Sequence, residues 1–239
     1  MEKNEIEEKL NEANYNRLDQ IRAEVKKEEG IIKVLNLYAC LGGNRLLWDN
    51  CEVTAVELDP ELARMYQERF PNDTVIIADA HQYLLDHYKE FDFIWSSPPC
   101  PSHSRARYWG AGSGKMEVIY PDMNLYQEII FLQHYFKGKW VVENVIPFYE
   151  PLIQGKKIGR HIFWSNFRIP NFKSEDADIN RGLVSDYEKL HKIDLSSYKG
   201  NQRKDKIGRN LVHYETGKII YDTMLGITQV SKDNQTLMF

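Results

Sequence analysis

Two side chains stand where they could do covalent chemistry together: a cysteine at position 100 and a glutamate at 143. Cys100 follows Pro98 and Pro99, at the point where the apolar run 91–97 ends. Proline fixes φ, so the pair makes a rigid turn as the chain leaves a buried strand. Such a turn would hold the thiol at the rim of a pocket. The reactive form of cysteine is the thiolate, which needs an electropositive and partly open setting. His103, Arg105 and Arg107 follow closely. The alternative is burial as a small apolar side chain, the common fate of a free cysteine, and Cys40 and Cys51 fit that description. Glu143 stands near the end of KWVVENV, residues 139–145. A carboxyl in such a run is costly unless paired or functional. Protonated, it could donate to a ring nitrogen; otherwise it is a structural group held by nearby backbone.

A second set of residues could hold a nucleoside. The run 31–39 ends in Tyr38-Ala39-Cys40-Leu41-Gly42-Gly43-Asn44. Glycines in such a turn let backbone approach a ligand without a Cβ clash. The spacing lacks the GxGxxG fingerprint, so it does not specify a nicotinamide cofactor. Glu57 ends the next apolar run, followed by Leu58 and Asp59, and could accept from both hydroxyls of a ribose. Asp79, followed by Ala80, ends a third run and could meet an adenine amino group. For each acid the plain alternative is a helix N-cap or a surface charge.

These residues need elements to bring them together. Apolar runs rich in β-branched residues predict strands over 31–39, 53–59, 74–79, 91–97 and 139–145. Between them the sequence predicts a helix beginning at NRLLWDN (44–50), one from Pro60 through ELARMYQERF, a short one at HQYLLDHY (81–88) and an amphipathic one over 124–136. Alternation of this kind implies a mostly parallel sheet with helices on both faces. In such a sheet ligands bind beyond the carboxyl ends of the strands, which is where Gly42, Gly43, Glu57, Asp79, Cys100 and Glu143 collect.

The domain reading is an N-terminal helical extension over 1–30 (its helix at 4–28), a catalytic and cofactor-binding domain over 31–166, a short irregular lobe over 167–206, and a segment over 207–239 that returns to the catalytic domain. The N-terminal helix packs on the domain or mediates self-association of an otherwise monomeric protein.

The composition, 42% hydrophobic and 28% charged, is that of an ordinary globular chain. There is no apolar run long enough to span a bilayer and no signal peptide, so a cytoplasmic protein is expected. Three cysteines give no disulfide framework, and no CxxC or HExxH pattern suggests a metal site. The net charge is −4, yet residues 155–218 carry fourteen basic and eight acidic groups. A basic segment on an acidic body is a plausible footprint for a polyanion, or merely a solvated lysine-rich region.

Taken in order, Tyr-Ala-Cys-Leu-Gly-Gly, Val-Glu-Leu-Asp, the strand ending at Asp79, Pro-Pro-Cys and Glu-Asn-Val resemble the motifs of DNA (cytosine-5) methyltransferases of small phage or bacterial type. The intervals also fit, with 62 positions from Tyr38 to Cys100 and 43 from Cys100 to Glu143. The likeness covers roughly residues 34–166. It implies a Rossmann-like fold that binds S-adenosylmethionine through Tyr38–Asn44, Glu57–Asp59, Asp79, Ala80 and Pro98. It implies double-stranded DNA as partner, and a cytosine flipped out of the duplex. Cys100 would attack C6, Glu143 would serve N3, and C5 would take the methyl group. Pro99, Asn144, Arg160 and His161 would form the cytosine pocket. Ser104, Arg105 and Arg107 would touch DNA from a mobile, glycine-rich loop over 101–116 that closes on the base.

The chain also departs from the family. Cys40 replaces the first glycine of the turn, Pro101 replaces the glutamine that usually follows the cysteine, and the usual Arg-x-Arg is not reproduced in GRHIFWSNF, where Arg160 and His161 are nearest. IGRNLVHYETGKII (207–220) resembles the segment that closes the cofactor side. The span 167–206 is short for target recognition and predicts a compact lobe with a short target. Alternatives are an RNA (tRNA) cytosine-5 methyltransferase, a member with a changed donor or transferred group, a non-catalytic DNA-binding module, and a cysteine hydrolase, for which no convincing partner to Cys100 is present.

Overall fold

The computed structural model describes residues 30–174 and 183–227. The helix expected over 4–28 lies outside the described residues. Seven strands form one sheet: β1 (Ile32–Leu37), β2 (Cys51–Glu57), β3 (Thr74–Ile77), β4 (Phe93–Ser96), β5 (Lys139–Val145), β6 (Lys156–Ile158) and β7 (His161–Ser165). Their order is β3-β2-β1-β4-β5-β7-β6. Strands β1 to β5 pair in parallel, and β7 runs antiparallel to both β5 and β6. The chain works outward from β1 to β3, then crosses to β4 on the other side of β1. That reversal opens a crevice between the carboxyl ends of β1 and β4.

The side chains of the central strands explain the order. Val34, Leu35 and Leu37 of β1 and Phe93, Ile94 and Trp95 of β4 are fully buried, as strands covered on both faces require. Successive residues point to opposite faces. Leu35, Leu37, Ile94, Trp140 and Val142 join one core with α2 (Ala80–His87) and α4 (Asn124–Tyr135). Val34, Phe93, Trp95 and Val141 join another with Trp48 and with Ile220 and Tyr221 of α7 (Tyr214–Met224). Helix α1 (Pro60–Arg69) starts with proline in its first turn and Asp59 as N-cap.

Two expectations need correction. No helix forms at 44–50. The connection from β1 to β2 has room only for successive turns, closed by Arg45 N–H to Gly42 O and Trp48 N–H to Arg45 O. Helix α7, from the far end of the sequence, covers that face instead. The span 167–206 is also more ordered than expected. Helix α5 (Val184–His191) lies within it and α6 (Lys204–Asn210) begins in it. Leu195, Tyr198, Ile207 and Leu211 pack with Leu41, Leu62 and Met65. The sequence looks irregular because each short helix buries only a narrow face: Tyr187 and His191 in α5, Ile207 and Gly208 in α6.

Candidate active site

One cavity of about 640 Å³ opens at the β1/β4 crevice. Tyr38, Cys40, Glu57, Leu58, Asp59, Asp79, Ala80 and Pro98 line it on one side; Pro99, Cys100, Glu143, Asn144 and His161 line it on the other. The two groups of residues singled out separately thus share a single pocket. Ala39, Leu41, Gly42, Gly43 and Asn44 stand behind the wall, and Ser104, Arg105, Arg107 and Arg160 also lie off it.

On the first side, Glu57 sits at the tip of β2. Its carboxylate accepts from the N–H of Cys40 at 2.8 Å and of Asp59 at 2.9 Å. Burial raises its pKa, against the pull of these backbone donors. Asp59 and Asp79 act as N-caps of α1 and α2, as the plain alternative held, while both still line the cavity. Tyr38 and Cys40 adopt left-handed backbone at φ 56° and 47°, so the turn is strained where the usual residue is glycine. The glycines of the turn also meet a packing need. A Cβ on Gly42 would lie 2.5 Å from the Phe70 ring, and one on Gly43 would lie 2.5 Å from the Val212 carbonyl.

A residue the sequence did not flag organises this side. Glu128 of α4 is almost fully buried. It accepts from Tyr38 Oη at 2.6 Å and Ser96 Oγ at 2.5 Å, and meets His81 Nδ1 at 2.9 Å. Its bond to His81 raises the imidazole pKa. Glu128 therefore ties the ends of β1 and β4 to the start of α2.

On the second side, the Pro-Pro-Cys turn is fixed twice. Asn144 Nδ2 donates to the Pro98 carbonyl at 2.9 Å. The Cys100 carbonyl accepts from the N–H of His103 at 3.0 Å and of Ser104 at 3.2 Å. Burial first, then the Glu143 carboxylate, push the Cys100 thiol up to about 11; a backbone hydrogen bond, Arg160 and Lys206 pull the other way. Its sulfur lies 3.9 Å from Asn210 Oδ1. Glu143, itself buried, meets His161 Nδ1 at 2.5 Å. Arg160 turns away and donates to the carbonyls of Arg209 and Leu211.

The segment after Cys100 differs from the mobile loop expected. Ser104 caps helix α3 (Arg105–Gly112), and Tyr108 stacks on Phe148 with centroids 4.6 Å apart. Gly110 and Gly112 lie inside the helix, and Gly114, at φ 71°, follows it. Arg105 is exposed, and Arg107 donates to the Glu117 carbonyl. The sequence also missed Gln202 and Lys206, which line the cavity from the 167–206 lobe, while Arg209 and Asn210 reach it from the segment 207–220 that resembles the cofactor-side closing segment. The net positive charge of 155–218 was the only signal for Lys206.

The first side suits S-adenosylmethionine. Glu57 offers carboxylate oxygens to a vicinal diol, and Leu58, Leu62, Ala80 and Pro98 offer apolar walls to a purine. Among the described residues no cluster could hold a metal ion, and no helix is long and apolar enough to cross a membrane.

A mostly parallel sheet in this order, with its seventh strand reversed and its cavity at the β1/β4 switch, is the Rossmann-like fold of S-adenosylmethionine-dependent methyltransferases. More narrowly, residues 32–146 match the family model of C-5 cytosine-specific DNA methylases. No curated protein matches the chain. Similar solved structures include a SAM-dependent methyltransferase from Agrobacterium tumefaciens (17% identity, 56% of this chain and 45% of that one, TM-score 0.40). Others are a DNMT2 mutant from Spodoptera frugiperda (21%, 48% and 35%, 0.34) and TrmN from Thermus thermophilus (15%, 52% and 36%, 0.32). The chain spans less than half the length of each of these three.

Proposed function

We propose that the protein methylates carbon 5 of cytosine in DNA through a covalent Cys100 adduct. The observation that carries this is the single cavity that joins Cys100 and Glu143 to Glu57 and Asp79. When bound, S-adenosylmethionine supplies an electrophilic methyl group. Glu57 would hold its ribose hydroxyls and Asp79 its adenine amino group, with Tyr38 and Pro98 beside the ring. Ala39, Leu41, Gly42, Gly43 and Asn44 would support that turn from behind.

The remaining chemistry belongs to the second side. The Cys100 thiolate adds to C6 of the base, and the charge that would build up on the ring is met by Glu143 at N3. C5 becomes nucleophilic and is methylated. Its proton then leaves to water, and Cys100 is eliminated. The base must leave its stack to reach the thiol. Pro99, Asn144 and His161 would surround it, with Arg160 supporting the pocket from outside. Lys206 and Arg209 at the cavity, with Ser104, Arg105 and Arg107 in and beside α3, would meet the phosphates. Residues 167–206 would serve as a compact recognition lobe.

Duplex DNA carrying 5-fluorocytosine tests this, because fluorine at C5 blocks the final elimination. With cofactor present, the protein should form a covalent complex on duplex DNA, and Cys100→Ala should form none. Trapping confined to RNA in a side-by-side assay would remove DNA as the substrate. Turnover retained by Cys100→Ala would remove the nucleophile.

A further inference from the structure

His161 and Glu143 form a buried pair inside the cavity. The two residues are 3% and 5% exposed, and Nδ1 lies 2.5 Å from Oε1. The sheet explains why they meet. In the antiparallel pairing of β5 with β7, Glu143 stands opposite Phe163, and His161 opposite Val145. Glu143 and His161 are therefore diagonal neighbours on one face, within reach for long side chains. Only the reversed strand β7 offers that geometry.

Around them, the other charged or titratable groups are Cys100 after β4, Arg160 between β6 and β7, and Lys206 and Arg209 of α6. Arg160 is directed to the carbonyls of Arg209 and Leu211. Among the described contacts, His161 is the ionisable side chain that meets the Glu143 carboxyl directly.

We propose that His161 is the positioning residue for Glu143, and that the pair holds between them the proton that N3 of the cytosine takes. This rests on the cytosine chemistry proposed above. With Oε1 engaged by Nδ1, the other carboxyl oxygen is left to face the base. As the thiolate lone pair makes the S–C6 bond, the electron pair displaced into the ring takes the carboxyl proton at N3. Glu143 is left as a carboxylate beside His161 Nδ1–H. When Cys100 is eliminated after C5 has lost its proton, the N3 proton returns to Glu143. No proton is consumed within the pair over a cycle. Because the partner is an imidazole, the pair as a whole gains and loses this proton in a coupled titration. Turnover then falls when the pair loses it.

The test compares the full-length protein with His161→Asn, whose side-chain amide can still donate to Oε1 but cannot titrate. Cofactor affinity is measured first, as a check on folding. The expected result is unchanged cofactor affinity, kcat lower by about tenfold to a hundredfold, and a pH profile that differs from wild type on its high-pH limb. A downfield imidazole proton resonance in wild type, lost in both His161→Asn and Glu143→Gln, gives a readout independent of turnover. A His161→Asn variant with wild-type kcat and an unshifted pH profile would overturn the inference, as would absence of that resonance. Failure of the wild-type protein to trap 5-fluorocytosine would instead overturn the cytosine chemistry itself, and the pair's role at N3 with it.

Discussion

Gly217 of α7 lies so close to the main-chain carbonyl of Asn44 that a β-carbon on it would come 2.1 Å from that oxygen. The same seam brings Trp48 Nε1 to the Gly217 carbonyl at 3.1 Å and stacks Trp48 on Tyr221 at 5.3 Å between centroids. The turn that carries Tyr38 and Cys40 into the cavity is therefore braced from behind by the last described helix. Residues far apart in the chain form one mechanical unit, and the cofactor side depends on it.

Gly217→Ala should destabilise the protein. A helical alanine gains about 1 kcal/mol over glycine in an open setting. Here the neighbour is backbone, so the turn or the helix must move, and overpacking of this kind costs about 1–3 kcal/mol or more. The expected outcome is a net loss of about 1 kcal/mol or more in urea unfolding, with weaker cofactor binding. An unchanged midpoint would show that the seam yields freely.

Much of this arrangement was legible in the sequence because buried strands are conspicuous. The apolar runs at 31–39 and 91–97 gave β1 and β4 to within a few residues, and Cys100 and Glu143 stood out as polar groups at the ends of such runs. Glu128 was invisible for the opposite reason. In an amphipathic helix one more charged residue looks like surface, and only the packing of α4 on the sheet turns it inward. Lys206 reaches the cavity by a fold-back of more than a hundred residues from Cys100, for which no local pattern exists. The glycines of the turn were found, but not that Phe70 and Val212 also need the space, because those contacts come from elsewhere in the chain.

Glu128→Gln should weaken the joint between β1, β4 and α2. The carboxylate accepts from two hydroxyls and meets an imidazole. An amide loses an acceptor and brings donors of its own, so one buried partner is left unmet at about 1–3 kcal/mol. There is also a pH signature. Glu128 raises the His81 pKa in the folded state, so the stability gained is full below the unfolded value near 6.5. It is lost as pH rises through the higher folded value. Wild type should therefore lose stability across that interval relative to Glu128→Gln. Parallel stability-versus-pH curves for the two proteins would remove the His81 contact.

Glu57→Ala should act on the cofactor more than on turnover at saturation. The side chain lines the cavity and also bridges the N–H groups of Cys40 and Asp59. Its loss removes hydrogen bonds to a charged acceptor, each worth about 1.5–3 kcal/mol. S-adenosylmethionine affinity should fall by about tenfold to a hundredfold, as read by calorimetry. An unchanged dissociation constant would take Glu57 out of the cofactor site.

Cys100 should be a sluggish nucleophile in the free protein. With its thiol pushed up to about 11, only about one molecule in a thousand carries the thiolate at pH 8. Alkylation by iodoacetamide, followed at this residue by mass spectrometry, should be slow there and rise about tenfold per pH unit until it levels near 11. The Glu143 carboxylate is the second cause of the shift, after burial. Replacing it with the neutral side chain of Glu143→Gln lowers the cost of forming a second negative charge nearby. Alkylation at pH 8 should then quicken several-fold, and the inflection should move below that of wild type. The neutral amide stands in for the protonated carboxyl that the proposed mechanism places next to the sulfur before it attacks. If both proteins alkylate with the same inflection, Glu143 is electrostatically remote from the thiol, and the two cannot act on one ring.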